Sequence, residues 1–260
     1  GELEIAAKDL FEKKKLGRAG STALLEEGLV GWELSYFVIT NGSKWAALPV
    51  AQDHKRLLDG DLGPNTGGMG AVAPLRLEEN LKSRIEKEIV QPTVDRLNLE
   101  GTVYRGVLFI GVMCTPDGPK VLEYNVRFGD PETQVLMPLL NGDWAQVFLE
   151  IAKGEVPDLN WRDVYSAVVV LAAEGYPDQP VKGAPISGDL LMSNKNSYVL
   201  SAGVRFDPRE GWLTNGGRVL NSVGLGDSLE DALNNAYSNV EKISWPGIQY
   251  RKDIGSKQIK

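Results

Sequence analysis

The feature that most restricts this chain is the run at residues 104 to 134, "YRGVLFIGVMCTPDGPKVLEYNVRFGDPETQ". A long apolar stretch meets Pro116, Asp117 and Gly118, and a second extended stretch follows at once. Pro, Asp and Gly each favour a tight reversal, so the run reads as two strands joined by a turn. Side chains alternate along a strand, which sets Glu123, Asn125 and Arg127 on one face and Leu122, Tyr124 and Val126 on the other. Glu123 and Asn125 offer oxygen to a hard divalent cation, and Arg127 suits the phosphate such a cation bridges. An exposed strand face with ordinary polar residues produces the same alternation. Asp130 then reads as a helix N-cap with Pro131 in the first helical position, and capping accounts for Asp130 without chemistry.

A second constraint is "DGDLGPNTGGMGAVAP", residues 59 to 74, with five glycines between Gly60 and Gly70. No G-x-x-x-x-G-K-[ST] or G-x-G-x-x-G occurs in it, and Pro74 stands where a dinucleotide-binding helix would begin. Its amides can still form a nest that turns successive N–H groups on an anion, with Asn65 and Thr66 as added donors. Just upstream, "QDHKR" supplies Lys55 and Arg56, two cations suited to phosphate or carboxylate. The competing reading is a wide hairpin loop whose glycines take left-handed positions. His54 in the same stretch reads as a hydrogen-bonding structural residue rather than a base. A third element, "LLEEGLVGWELS", could turn backbone amides towards an adenine edge and set Glu33 on ribose hydroxyls, although a plain strand-turn-strand explains it as well.

Composition removes whole classes of chemistry. The chain has one cysteine, Cys114, and one histidine, His54, so intramolecular disulfides, multi-Cys zinc sites and two-His zinc sites are excluded. No G-x-S-x-G surrounds a serine, so a Ser-His-Asp hydrolase lacks its nucleophile elbow. Any metal must be held by oxygen ligands, and lone-cysteine usage points to a reducing, cytoplasmic setting. A formal net charge of −7 sets the chain against nucleic acid and anionic membrane, and no apolar run is long enough to span one.

The remaining elements follow from periodicity. "EIAAKDLFEKKK" reads as an amphipathic helix, "STALLEE" as a short strand, and "GLVGWELSYFVIT" as a strand turning at Asn41-Gly42 onto "KWAALPVA". "LEENLKSRIEKEIVQPTVDRLN" reads as a long helix kinked or divided at Pro92. "GDWAQVFLEIAKGE" reads as a helix capped by Asp143 and stopped at Gly154. After a linker near residues 155 to 163, "SAVVVLAA", "GDLLMS", "SYVLSAGVRF" and "GRVLNSVGLG" read as short strands. A helix capped by Ser228 follows them. Residues 163 to 260 are therefore expected to form a smaller α+β domain.

Taken together, "QDHKRLLDGDLGPNTGGMGA" and "LEYNVRFGDPETQVLMPLL" resemble the glycinamide ribonucleotide synthetase family of ATP-grasp ligases, also called phosphoribosylamine–glycine ligases. "EGYP", "KG", "GGRVL" and "YRKDIG" extend the resemblance over nearly all of the chain. It implies an α+β ATP-grasp fold, an antiparallel sheet with helices, followed by the small C-terminal domain. Residues 1 to 27 would be the tail of the small lobe, and residues 28 to 155 the large lobe with the metal and substrate site. It implies an ADP-forming ligase that joins glycine to 5-phosphoribosylamine, with ATP as co-substrate and Mg2+ or Mn2+ as cofactor. Glu123 and Asn125 would then be metal ligands, and Glu26, Leu29 and Glu33 would line the adenosine site. Lys55, Arg56 and Arg127 would act on the phosphates. Asp53, Asn65, Thr66, Gly67, Gly68 and Gly70 would hold the sugar phosphate substrate or its intermediate.

The family begins with a nucleotide-fold domain and an ATP-covering lobe, and no such segment precedes Gly1. Gly28 stands where the family usually has a large apolar residue, and Ser201 where a histidine is common. The resemblance thus implies an incomplete enzyme, missing an N-terminal portion and nearly inactive alone. The competing class is a non-catalytic nucleotide-binding or interaction module on the same scaffold. A biotin-dependent carboxylase is set aside by "RFGDPETQ" together with "GPNTGGMG".

Overall fold

A computed structural model describes residues 1–259, and these divide into two compact units, one of residues 1–30 and one from residue 31 onward. In the first, α1 (Glu2–Ala7) runs without a break into a wider turn of helix over Lys8–Glu12, as its apolar spacing predicts. Asp9 receives both Lys13 and Lys15 at the end of that helix. The strand expected at "STALLEE" does not form. A short tight turn occupies Gly17–Ser21, residues 23 to 30 are irregular, and Leu24 and Leu25 are exposed. Leu and Glu carry little strand preference of their own, and among the described residues no neighbour pairs with this stretch.

The second unit is layered. Strands β1 (Trp32–Thr40), β2 (Trp45–Ala47), β7 (Gly106–Thr115) and β8 (Gly118–Asn125) make an antiparallel sheet in the order β2-β1-β7-β8. Asn41 builds the expected β1–β2 turn, its side chain accepting from the Ser43 and Lys44 amides. Along β1 the alternation is strict. Leu34, Tyr36 and Val38 face one core, Phe37 and Ile39 another, and all five are buried. A strand covered on both faces must be apolar throughout, which is why "SYFVIT" lacks a polar stripe.

A helical stretch made of α2 (Glu79–Ile85), a wider turn over Glu86–Val90 and α3 (Gln91–Leu99) covers the Tyr36 face through Ile85, Ile89 and Val90. The helical stretch is perturbed at Pro92, as expected: its hydrogen-bond register changes just before the proline. The wider turn runs straight into α3, so the register change falls where Pro92 has no N–H to give. The Phe37 face packs on α4 (Glu132–Leu136) and α5 (Trp144–Lys153) through Val135, Leu136, Val147 and Ile151. Asp143 caps α5 by accepting from the Ala145 amide at 2.8 Å, and Gly154 closes it in the left-handed conformation, both as expected.

Beneath lies a five-stranded sheet. It contains β3 (Gln52–Asp53), β6 (Gly70–Ala73), β9 (Tyr165–Ala172), β10 (Ser197–Ser201) and β13 (Arg218–Gly226), in the order β10-β13-β9-β6-β3. Its far face is covered by α6 (Leu229–Val240), whose expected cap is present: Ser228 Oγ accepts from the Asp231 amide at 3.1 Å. Two small hairpins complete the unit, β4 (Arg56–Leu58) with β5 (Leu62–Asn65) and β11 (Val204–Asp207) with β12 (Gly211–Thr214). The strand expected at "GDLLMS" is absent; that stretch turns so that Leu190 is buried and Leu191 exposed. The expected division at residues 155 to 163 is spanned by the five-stranded sheet, with β3 and β6 from one side and β9, β10 and β13 from the other. Among the described residues no helix is long and apolar enough to cross a membrane.

Candidate functional site

The glycine-rich stretch is more structured than a loop. Its first half is the β4–β5 hairpin, reversed at Asp59–Asp61, and its end is β6, paired on one side with β3 and on the other with β9. Its amides do not form an open nest. The Thr66 N–H donates to the Lys55 carbonyl, Gly67 to the Tyr176 hydroxyl, Gly68 to Thr66 Oγ1 and Met69 to the His54 carbonyl, at 2.7 to 3.0 Å. Four consecutive donors are therefore committed to protein acceptors, and the loop presents side chains to a ligand rather than backbone. The glycines instead permit close approach. A Cβ on Gly68 would lie 2.4 Å from Pro131 Cδ and 2.7 Å from Asp53 Oδ1, and this residue also takes a φ of 112°.

Five expected site residues line one cleft of about 390 Å³. Glu33, Asp53, Lys55, Arg56 and Asn65 meet Trp32, Gln52, His54, Asp61, Met113 and Lys257 there. Lys55 is its central cation, with Nζ 2.9 Å from Glu33 Oε2. Burial works against the charge of Lys55, but the carboxylates of Glu33, Asp53 and Glu123 outweigh it and hold the ammonium above its ordinary pKa. Lys55 is thus a permanent positive charge at neutral pH. Arg56 is spent differently, its Nη1 donating to the Gly63 carbonyl at 2.7 Å inside the hairpin.

Asp53 stands beside a second acid, Glu132, which is 3% exposed and accepts from Ser35 Oγ at 2.9 Å. Burial first, and then the charge of Glu132, push the Asp53 carboxyl well above the usual range. Burial likewise raises Glu132. Asp53 Oδ1 is sealed from solvent without a hydrogen-bond partner.

On β8, Glu123 and Asn125 share a face as expected, opposite Gly111 and Phe109 of β7, and Asn125 Nδ2 lies 3.2 Å from Glu123 Oε1. The strand bulges at this point, the register slipping between Gly111 and Val112. Arg127 lies past the end of β8, so the three side chains do not form one unbroken stripe; its Nη1 donates to the Phe128 carbonyl at 2.8 Å. Phe128 anchors that turn against Trp144, with ring centroids 5.9 Å apart. Among the described residues no three His, Cys, Asp or Glu side chains are grouped to hold a metal. Glu123 and Asn125 lie side by side, each with an oxygen to offer, and that donor set fits magnesium or manganese, which are commonly held by one or two protein ligands with phosphate oxygens completing the shell.

Asp130 is not the N-cap of α4. Pro131 takes that position, and the Asp130 carboxylate accepts from Gln134 and lies 3.2 Å from Arg218 Nη1. Glu26 and Leu29 belong to the first unit, on irregular backbone. His54 is structural, as expected: Nδ1 meets the Gly70 carbonyl at 3.2 Å and Nε2 accepts the Gly255 N–H at 3.0 Å. That pairing fixes the neutral tautomer with its proton on Nδ1.

Three residues escaped the sequence reading. Arg218 and Tyr176 hold the crest of the glycine-rich loop. Arg251, 1% exposed, ties the hairpin to the C-terminal stretch through Asp61 (2.8 Å) and Asp253 (2.7 and 2.8 Å). Their signals were present as "EGYP", "GGRVL" and "YRKDIG", motifs with no role attached.

The profile of the phosphoribosylglycinamide synthetase ATP-grasp (A) domain matches residues 2–133, and that of the phosphoribosylglycinamide synthetase C domain matches residues 166–257. The chain is 42% identical over 253 residues to a phosphoribosylamine–glycine ligase of Caldanaerobacter subterraneus subsp. tengcongensis, covering 95% of this chain and 60% of that protein. A Streptococcus pyogenes serotype M1 protein of the same name is 42% identical over 262 residues, covering 98% of this chain and 61% of that one. The crystal structure of phosphoribosylamine–glycine ligase from Thermotoga maritima superposes with a TM-score of 0.79 at 40% identity, over 88% of this chain and 57% of that chain. A biotin carboxylase domain of Hydrogenobacter thermophilus 2-oxoglutarate carboxylase, solved with MgADP and bicarbonate, shares the fold with a TM-score of 0.61 at 15% identity, over 84% of this chain and 47% of that chain. The chain thus spans about 60% of the length of the curated relatives it matches.

Proposed function

Because the chain belongs to the phosphoribosylglycinamide synthetase family, with its α+β ATP-grasp fold, we propose that it carries the metal- and substrate-facing part of an ADP-forming ligase joining glycine to 5-phosphoribosylamine. In that reaction a glycine carboxylate oxygen attacks the γ-phosphorus of ATP and ADP leaves. The amine nitrogen of phosphoribosylamine then attacks the acyl carbon of glycyl phosphate, and inorganic phosphate leaves. Such chemistry asks a protein for position and charge rather than for a nucleophile, which suits a chain with one buried cysteine and one neutral histidine.

Glu123 and Asn125 hold the divalent cation, magnesium or manganese, which when bound neutralises phosphate charge. Lys55 and Arg127 add positive charge at the transferred phosphoryl group, and Arg56 contributes from the hairpin. Glu33 anchors Lys55 and faces the ribose of the nucleotide. Asp53, Asn65, Thr66, Gly67, Gly68 and Gly70 shape the wall for the sugar phosphate, and Glu26 and Leu29 are assigned to adenosine. The setting is cytoplasmic, with glycine, 5-phosphoribosylamine and ATP as its small-molecule partners.

The observation that carries this reading is the adjacency of Glu123 and Asn125 on one face of β8, where Asn125 Nδ2 donates to Glu123 Oε1 at 3.2 Å while Lys55 senses the charge of Glu123. Calorimetry of ADP binding with and without magnesium tests it. Glu123→Ala is expected to weaken magnesium-dependent binding about tenfold or more, about 1.4 kcal/mol. Unchanged binding would favour a non-catalytic module on the same scaffold.

A further inference from the structure

Arg218 opens β13, far in sequence from both motifs that define the site, yet it touches both. Its Nη1 donates to the Gly67 carbonyl at 2.6 Å and to the Asp130 carbonyl at 2.7 Å, with Gly68 O at 3.5 Å and Asp130 Oδ1 at 3.2 Å. The two hydrogens of one nitrogen thus join the crest of the glycine-rich loop to the turn that follows Arg127. Tyr176 assists from beside it, its hydroxyl accepting the Gly67 N–H at 2.8 Å. The fit is close. A Cβ on Gly67 would lie 3.1 Å from the guanidinium and 3.2 Å from the Tyr176 hydroxyl, and one on Gly217 would lie 2.4 Å from the Tyr176 ring. The Arg218 side chain is 23% exposed, so these charge-assisted bonds are largely shielded from water.

We propose that Arg218 is a positioning residue, a latch that fixes the loop at Gly67–Gly68 against the Asp130 turn and so sets the wall against which a sugar phosphate binds. The β13 strand then places the loop, and the loop's own sequence does not. Lysine cannot replace it fully, since its ammonium carries its donors on a freely rotating group rather than in the fixed plane that aims Nη1 at two carbonyls. The sugar phosphate part of the inference rests on the function proposed above; the latch itself does not.

Two measurements decide it, both on the full chain. Hydrogen exchange, read peptide by peptide, is expected to quicken about tenfold or more over residues 66 to 70 in Arg218→Ala, and less in Arg218→Lys. Exchange in α6 and the centre of β9 stays as in the unaltered chain, which also shows that the variants fold. Unchanged exchange over residues 66 to 70 overturns the latch. Calorimetry with ribose 5-phosphate as the probe is then expected to show affinity falling about tenfold in Arg218→Ala while MgADP affinity holds. A role confined to stability would not split the two ligands that way. Faster exchange with unaltered ribose 5-phosphate affinity overturns the positioning role. Failure of the unaltered chain to bind ribose 5-phosphate counts against the proposed function instead, and the exchange experiment still decides the latch.

Discussion

Lowering the pH from 7 to 5 should remove a contribution to stability that one group, His54, makes. Its ring is 7% exposed, gives its Nδ1 proton to the Gly70 carbonyl and uses Nε2 to accept from the Gly255 amide. Burial first, and then the nearby Arg251 guanidinium, depress its pKa from 6.5 to about 4, against a smaller opposing pull from Gly70, Asp61 and Asp253. A protonated ring would place a proton on the nitrogen that must accept. Between pH 6.5 and 4 the unfolded chain therefore binds the proton and the folded chain does not, so stability rises with pH across that window. The contribution is complete above pH 6.5 and is lost as the pH falls towards 4. At about 1.4 kcal/mol per pH unit, it amounts to about 2 kcal/mol between pH 7 and pH 5. Because the chain has a single histidine, its imidazole signals in a proton NMR spectrum need no assignment. They should stay fixed down to pH 5, and urea unfolding should show the change from pH 7 to 5 to be about 2 kcal/mol less favourable in the parent than in His54→Gln. The comparison is between the two proteins because the raised Asp53 and Glu132 carboxyls, which favour the fold as pH falls, contribute to both. A ring that titrates near pH 6.5, or an equal change in the variant, would refute the reasoning.

Other perturbations follow from contacts already described. Gly68→Ala combines a φ of 112° with approaches of 2.4 Å to Pro131 and 2.7 Å to Asp53. It should cost about 2 kcal/mol or more, measurable as a lowered denaturant midpoint. Arg251→Met removes the cation shared by Asp61 and Asp253 and should destabilise by about 3 kcal/mol, with the hairpin at residues 56 to 65 the first region to gain protease sensitivity. Asp143→Ala removes the α5 cap and should cost about 1 kcal/mol in thermal unfolding.

What could be read from the sequence was what local chemistry determines. The Asn41 turn, the caps of α5 and α6 and the shared face of Glu123 and Asn125 depend on residues a few positions apart, and all are present. The expectation at Asp130 failed because a distant group competes for its carboxylate. Arg218 lies 88 residues away and draws Asp130 out of any capping role. The anion nest failed for a related reason. The amides of residues 66 to 69 are satisfied by Lys55, Tyr176, Thr66 and His54, and the Tyr176 partner is 109 positions off. Arg251 was invisible in the same way, since its partner Asp61 is 190 residues upstream. Periodicity reports which face of an element is apolar; it carries no record of which remote polar group arrives at a loop. The motifs "EGYP", "GGRVL" and "YRKDIG" marked the residues that matter, but their chemistry became definable only once the loop they restrain was seen beside them.

The five-stranded sheet has a practical consequence for anyone dissecting this protein. Family boundaries at residues 133 and 166 invite expression of two pieces, yet a cut there would strip β6 of its β9 neighbour. Each half would display a naked row of peptide groups, a template for pairing with other chains. Such pieces should precipitate when made singly and regain solubility when produced together, so the working particle runs across the sequence-defined border.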